Sequence, residues 1–132
     1  MAKKPSLTDV KTLRKRAREH MELGAVTPGY RAKRETVVKI LNEALATEIV
    51  CVLRYRRHHF MASGIHAQSV AGEFLIHSNE EQAHADLIAQ RIVQLGGERN
   101  FSPAGLRSRP HAEYAEAATL LAMIREDLVA ER

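Results

Sequence analysis

Apolar positions recur every three or four residues in three stretches of the chain, the period of an α-helix with one buried face. The longest run follows Arg34. Val38, Leu41, Leu45, Glu48, Val52, Tyr55 and His59 are spaced three and four apart throughout, the seam of a helical bundle. This predicts a helix over 34–63 that ends at Gly64. A second stripe, Val70, Phe74, His77, Glu81, His84, Ile88 and, beyond Arg91, Leu95, predicts a helix over 67–95 stopped by Gly96-Gly97. Leu121, Ile124, Leu128 and Glu131 predict a third helix over 119–132, with Thr119 as its N-cap. The short link at Gly64-Ile65-His66 makes the first two helices antiparallel. Between the second and third, Glu98 to Ala118 holds Pro103, Gly105 and Pro110 and little periodicity. A long connection needs a reason. A crossover that carries the chain along the bundle, so that the next helix starts at the far end, supplies one.

The first quarter of the chain is patterned differently. Residues 1–7 carry no structural signal and read as disordered. Thr8 or Asp9 can cap a short helix to about Leu23, stopped by Gly24. Its apolar face is thin: Val10, Leu13, Ala17 and His20 or Met21, surrounded by Lys11, Arg14, Lys15, Arg16 and Arg18. Thr27-Pro28-Gly29-Tyr30 reads as a turn. The expected fold is therefore all-α. A basic arm with a short helix occupies residues 1–33, and a bundle of three helices occupies residues 34–132.

Composition narrows the function. Segments rich in Ala, Leu, Glu and Arg favour helix, and 132 residues suffice for one domain with a real core. No apolar run has the length of a membrane span, and Met1-Ala2-Lys3-Lys4-Pro5 has no apolar segment behind it. The single cysteine, Cys51, cannot form an internal disulfide, so the cytoplasm is the default compartment. Charge is unevenly spread. Residues 1–34 hold ten Lys/Arg against three Asp/Glu, whereas the remainder holds ten against thirteen. Lys3, Lys4, Lys11, Arg14 and Lys15 could contact nucleic-acid phosphates, or the arm is simply a solvated surface.

The chemistry lies in the seams. Burying an ionised carboxylate costs several kcal/mol unless it is paired or metal-bound. Yet Glu48, Glu81 and Glu131 each fall on an inward stripe, and Glu81 is followed three residues later by His84 on the same face. Inward carboxylates with a Glu-x-x-His form the di-iron pattern of four-helix bundles, and hard oxygens with imidazole suit iron or manganese. Other residues read as scaffold. Arg54, Arg56 and Arg57 lie off the stripe and face solvent or another subunit. His58 and His59 read as solvated, with metal binding at a surface or pore the alternative, and His77 as a hydrogen-bonded core histidine, with a ligand at the entry to the site the alternative; Cys51 is a small buried hydrophobe, and Met61 and Met123 fill the core.

From Arg34 to Arg132 the sequence resembles the ferritin-like proteins, bacterioferritins in particular. The resemblance rests on Leu41-Asn42 through Glu48 to Tyr55 and His58, on Glu81-x-x-His84-Ala85-Asp86, and on Asp127-Leu128-x-x-Glu131. It implies a four-helix bundle with a long crossover, and iron as the metal. It implies Glu48, Glu81, His84 and Glu131 as metal ligands, and a catalytic, electron-transferring role for Tyr55 beside the di-iron centre. The activity implied is ferroxidase, with iron storage and detoxification in a dimer or hollow cage. Bacterioferritins carry a haem-ligating methionine where this chain has Gln82, a poor ligand, so no haem is expected by that route. The fourth helix with a second Glu-x-x-His is absent from this sequence. The chain supplies four ligands of six, and slow ferrous oxidation by it alone is expected. The basic arm resembles that of DNA-protecting mini-ferritins in composition only. A DNA-binding stress-protection protein and a helical assembly module with an inactive site are the competing readings.

Overall fold

The computed structural model describes residues 8–19, 29–65 and 67–132. They form four α-helices and, among the described residues, no strand. α1 spans Val10–Glu19, α2 Arg34–Met61, α3 Ala67–Gln94 and α4 Leu120–Glu131. One turn of 3₁₀ helix, Pro103–Gly105, interrupts the connection between α3 and α4. Two compact units divide the chain after Ala32.

In the first unit, Asp9 caps α1. Its Oδ1 accepts from the backbone N–H of Lys11 (2.8 Å) and Thr12 (3.1 Å), two donors that a helix start leaves open. Val10 and Leu13 are exposed. The expected end near Leu23 and the Gly24 stop fall outside the described residues, as do residues 1–7 and His66.

In the second unit α2 and α3 are antiparallel and in heptad register. Leu45 shares an apolar cluster with Ala85. Seven residues on, the carbonyl of Val52 accepts from Ser78 Oγ at 3.0 Å, and seven further, His59 Nδ1 meets the carbonyl of Ala71 at 2.6 Å. At 28 residues each, the two helices run about 42 Å. α2 ends at Met61, two residues earlier than the sequence suggests, because Ala62 is already extended. Gly96 has φ +71°, and it closes α3 with the two bonds of a Schellman cap, Gly96 N to Val93 O and Gly97 N to Ile92 O. Gly97 then passes so close to α2 that a Cβ there would lie 2.7 Å from Val38 Cγ1.

The connection from Leu95 to Thr119 is tied to α2 along its length. The Asn42 amide donates to Glu98 O and accepts from Asn100 N, both at 2.8 Å. Thr47 Oγ1 accepts from His111 N at 2.8 Å, and Arg54 Nη1 donates to Glu113 O at 2.9 Å. Arg57 pairs with Glu116 at 3.3 Å. The chain thus travels from the start of α2 toward its end, the crossover that the sequence suggests. Thr119 then caps α4 by accepting from Ala122 N.

The core has two parts. Leu45, Ala85 and Ile92, with Val38, Leu41, Ile49 and Ile88 against them, fill one end of the α2–α3 pair. Cys51, Tyr55, Phe74, Ala117 and Met123 fill the other, with Val70, Leu120 and Ile124 packed on them. Glu48 and Glu81 lie along the helices between these clusters.

α4 is turned differently from the expected stripe. Leu121 and Leu128 are 59% and 60% exposed, while Met123 and Asp127 are buried. Its apolar residues and the charged Arg125, Glu126, Asp127 and Glu131 are both spread around the helix, so hydrophobic spacing could not choose its inner face. Asp127 chooses it by pairing with α2. Arg54, expected to face solvent or another subunit, and His58, expected to be solvated, are 2% and 0% exposed and form the other half of that pairing.

Candidate metal centre

Glu48 on α2 and Glu81 and His84 on α3 come together because the antiparallel register puts the middle of α3 opposite Glu48. One ligand atom from each lies within 4.8 Å of the other two. His84 Nδ1 is 3.4 Å from Glu81 Oε2 and 3.6 Å from Glu48 Oε2. Two atoms held about 2.1 Å from one cation stand about 3.0–3.4 Å apart at octahedral or tetrahedral angles, so the set needs little adjustment to close on an ion. The carboxylates are half-buried and His84 is exposed, which leaves the cluster one solvent-facing side. Glu48 Oε2 is buried without a hydrogen-bond partner among the described residues. Burial, then the neighbouring Glu81 carboxylate, push Glu48 up to about 7, while His84 pulls it the other way. An acid in this state either holds a proton or requires a cation. The donor set, two carboxylates and an imidazole, suits iron or manganese.

Glu131 does not join the three. Its Oε1 accepts a hydrogen bond from the Tyr55 hydroxyl. Tyr55 is buried, its ring stacked on His77 with centroids 5.2 Å apart and tilted against Phe74 at 6.4 Å. Burial and the Glu131 carboxylate raise its phenol, so Tyr55 stays protonated. His77 itself is partly exposed and lies 3.4 Å from Glu80. Cys51 is buried one turn from both Glu48 and Tyr55, and its thiol is raised to about 11, chiefly by burial. Lys11, Arg14 and Lys15 stand on α1, and Lys3 and Lys4 lie outside the described residues.

The polar joint between α2 and α4 was not legible as one. Asp127 Oδ1 accepts from Arg54 Nη2 at 3.3 Å, and its Oδ2 lies 2.8 Å from His58 Nδ1. Arg54 also donates to Glu126 O at 2.5 Å. Burial raises the Asp127 carboxyl, an effect that His58 and Arg54 offset only in part. Arg54 and His58 are four apart on α2, and Asp127 is four before Glu131. Those spacings were the available signal.

Residues 38–132 match the ferritin-like domain family. A bacterioferritin from Desulfovibrio desulfuricans is 29% identical over 73 residues, which are 55% of this chain and 41% of that protein. A solved structure of a dodecameric thioferritin, the bacterioferritin-related protein from Bacteroides fragilis, aligns with a TM-score of 0.72 at 27% identity. The alignment covers 76% of this chain and 61% of that one. The chain thus spans about two fifths of the curated relative it matches. Among the described residues, no helix is long and apolar enough to cross a membrane.

Proposed function

We propose that this chain, which belongs to the ferritin-like domain family, binds ferrous iron at Glu48, Glu81 and His84 and serves in iron oxidation and storage. The observation that carries the reading is the convergence of these three groups from two helices around a buried Glu48 oxygen that lacks a hydrogen-bond partner. Iron bound there supplies the redox chemistry, with electrons passing to oxygen or peroxide. Glu48 and Glu81 bind and neutralise the cation, and Glu48 gives up its proton as the cation arrives. His84 completes the set from the exposed side, where substrate iron and oxidant can approach. Tyr55 keeps its proton and holds the Glu131 carboxylate. Three groups suffice for one cation, and a second iron needs further ligands. Assembly into a homo-oligomer, as in the dodecameric Bacteroides relative, fits the exposed Leu121, Leu128 and Val129 of α4.

Anaerobic titration with cobaltous ion tests the reading through the ion's visible absorption. Glu81→Ala should weaken binding at this cluster at least tenfold relative to Glu73→Ala, an exposed change on the same helix. Equal binding by both variants would remove the cluster from consideration.

A further inference from the structure

We propose that Glu43 and His111 form a second, outer subsite for a divalent transition-metal cation, at the mouth of a cavity that Glu48 also lines. A cavity of about 320 Å³ lies between α2 and the crossover, walled by Ile40, Glu43, Ala44, Thr47, Glu48 and His111. The five α2 residues follow the helical spacing of one face, so the cavity lies along α2 with Glu43 and Glu48 both in its wall. At its rim, His111 Nε2 lies 3.2 Å from Glu43 Oε2. That separation is within the range of about 3.0–3.4 Å for two ligand atoms on one cation.

The pair is held in place. The backbone N–H of His111 donates to Thr47 Oγ1 at 2.8 Å, and the Thr47 hydroxyl donates to the carbonyl of Glu43 at 3.0 Å. The loop residue that carries the imidazole is therefore anchored one helical turn from the carboxylate it faces. His111 is exposed and Glu43 half-buried, so a cation can reach them directly from water. The other histidines outside the inner cluster are differently engaged among the described residues. His58 is on Asp127 and His59 on the Ala71 carbonyl, while His77, 3.4 Å from Glu80 on its own helix, has its ring stacked on the buried Tyr55 and does not line the cavity that Glu48 lines. Imidazole with a single carboxylate selects transition metals over calcium or magnesium, which prefer all-oxygen sites. Two protein ligands hold a cation weakly, which suits capture and release.

The outer subsite rests on the inner-cluster reading only for the cation's destination, not for its own binding. Calorimetric titration of the full chain with zinc ion alone tests it. Two classes of site are expected. His111→Gln and Glu43→Gln should each raise the dissociation constant of the weaker class at least tenfold and leave the tighter class unchanged, with helix content by circular dichroism preserved. Glu81→Ala should do the reverse. Dissociation constants within twofold of the parent in both outer variants would make the pair a hydrogen bond only and overturn the proposal. Loss of both classes on Glu81→Ala would also overturn it. If Glu81→Ala changes neither class while His111→Gln removes one, the inner-cluster reading fails and the outer subsite stands.

Discussion

Asp127→Ala should be among the most damaging single substitutions in the bundle. The carboxylate joins α2 to α4 by accepting from Arg54 at 3.3 Å and facing His58 Nδ1 at 2.8 Å. Removing it leaves a guanidinium that is 2% exposed without its anion, and a fully buried imidazole without its partner. Breaking a buried ion pair from one side costs about 3–5 kcal/mol. Arg54 keeps the carbonyls of Glu113 and Glu126 as acceptors, which puts the loss near the lower figure, about 3 kcal/mol. Against a total stability of about 5–15 kcal/mol this is a large fraction. At about 4 °C per kcal/mol for a domain of this size, the melting temperature should fall about 12 °C. Asp127→Asn keeps the shape and one acceptor, and should cost about 1–2 kcal/mol. Thermal and urea denaturation followed by circular dichroism would measure both. A loss below about 0.5 kcal/mol for Asp127→Ala, the range of surface substitutions, would refute the reasoning and mean that water repairs the joint without cost.

Two further outcomes follow from local geometry. Glu48 is raised from 4.5 to about 7, so the folded, metal-free protein favours its protonated form. The stability it contributes is present below about 4.5 and is lost as pH rises through about 7. Metal-free melts between pH 5 and 8 should show this decline, and Glu48→Gln should flatten it. Gly97→Ala would put a methyl 2.7 Å from Val38 Cγ1, so the α2–α3 end must spread, at about 1–3 kcal/mol in urea denaturation.

Much of this was legible in the chain because α2 and α3 are long and each has one strongly patterned face. The stripe through Leu45, Val52 and His59 was readable as the face turned to α3, and the paired glycines after Leu95 were readable as a helix end. Thr119 was readable as a cap because its hydroxyl precedes an apolar run. What failed was the reading of charged residues as exposed. Arg54 and His58 looked like surface groups because helical spacing describes one buried face, whereas α2 is covered on two. Asp127, with the Glu113 and Glu126 carbonyls on Arg54, makes their burial tolerable, and pairings across more than fifty residues leave no local trace. The same gap separates Glu131 from the cluster. Its heptad position was readable, but not that Tyr55 would meet it there.

The separation of the core into two apolar clusters, with Glu48 and Glu81 between them, has a bearing on how such a chain can change over time. Among the described residues, the apolar neighbours of Leu45, Ala85 and Ile92 are different from those of Phe74, Ala117 and Met123. Stability effects at sites that do not touch are additive to within a few tenths of a kcal/mol. Each end can therefore be remodelled to meet a different neighbour while the other end keeps the helices in register across the carboxylates. The pair of carboxylates thus marks a border within the bundle, with an apolar province on either side that can diverge at its own rate.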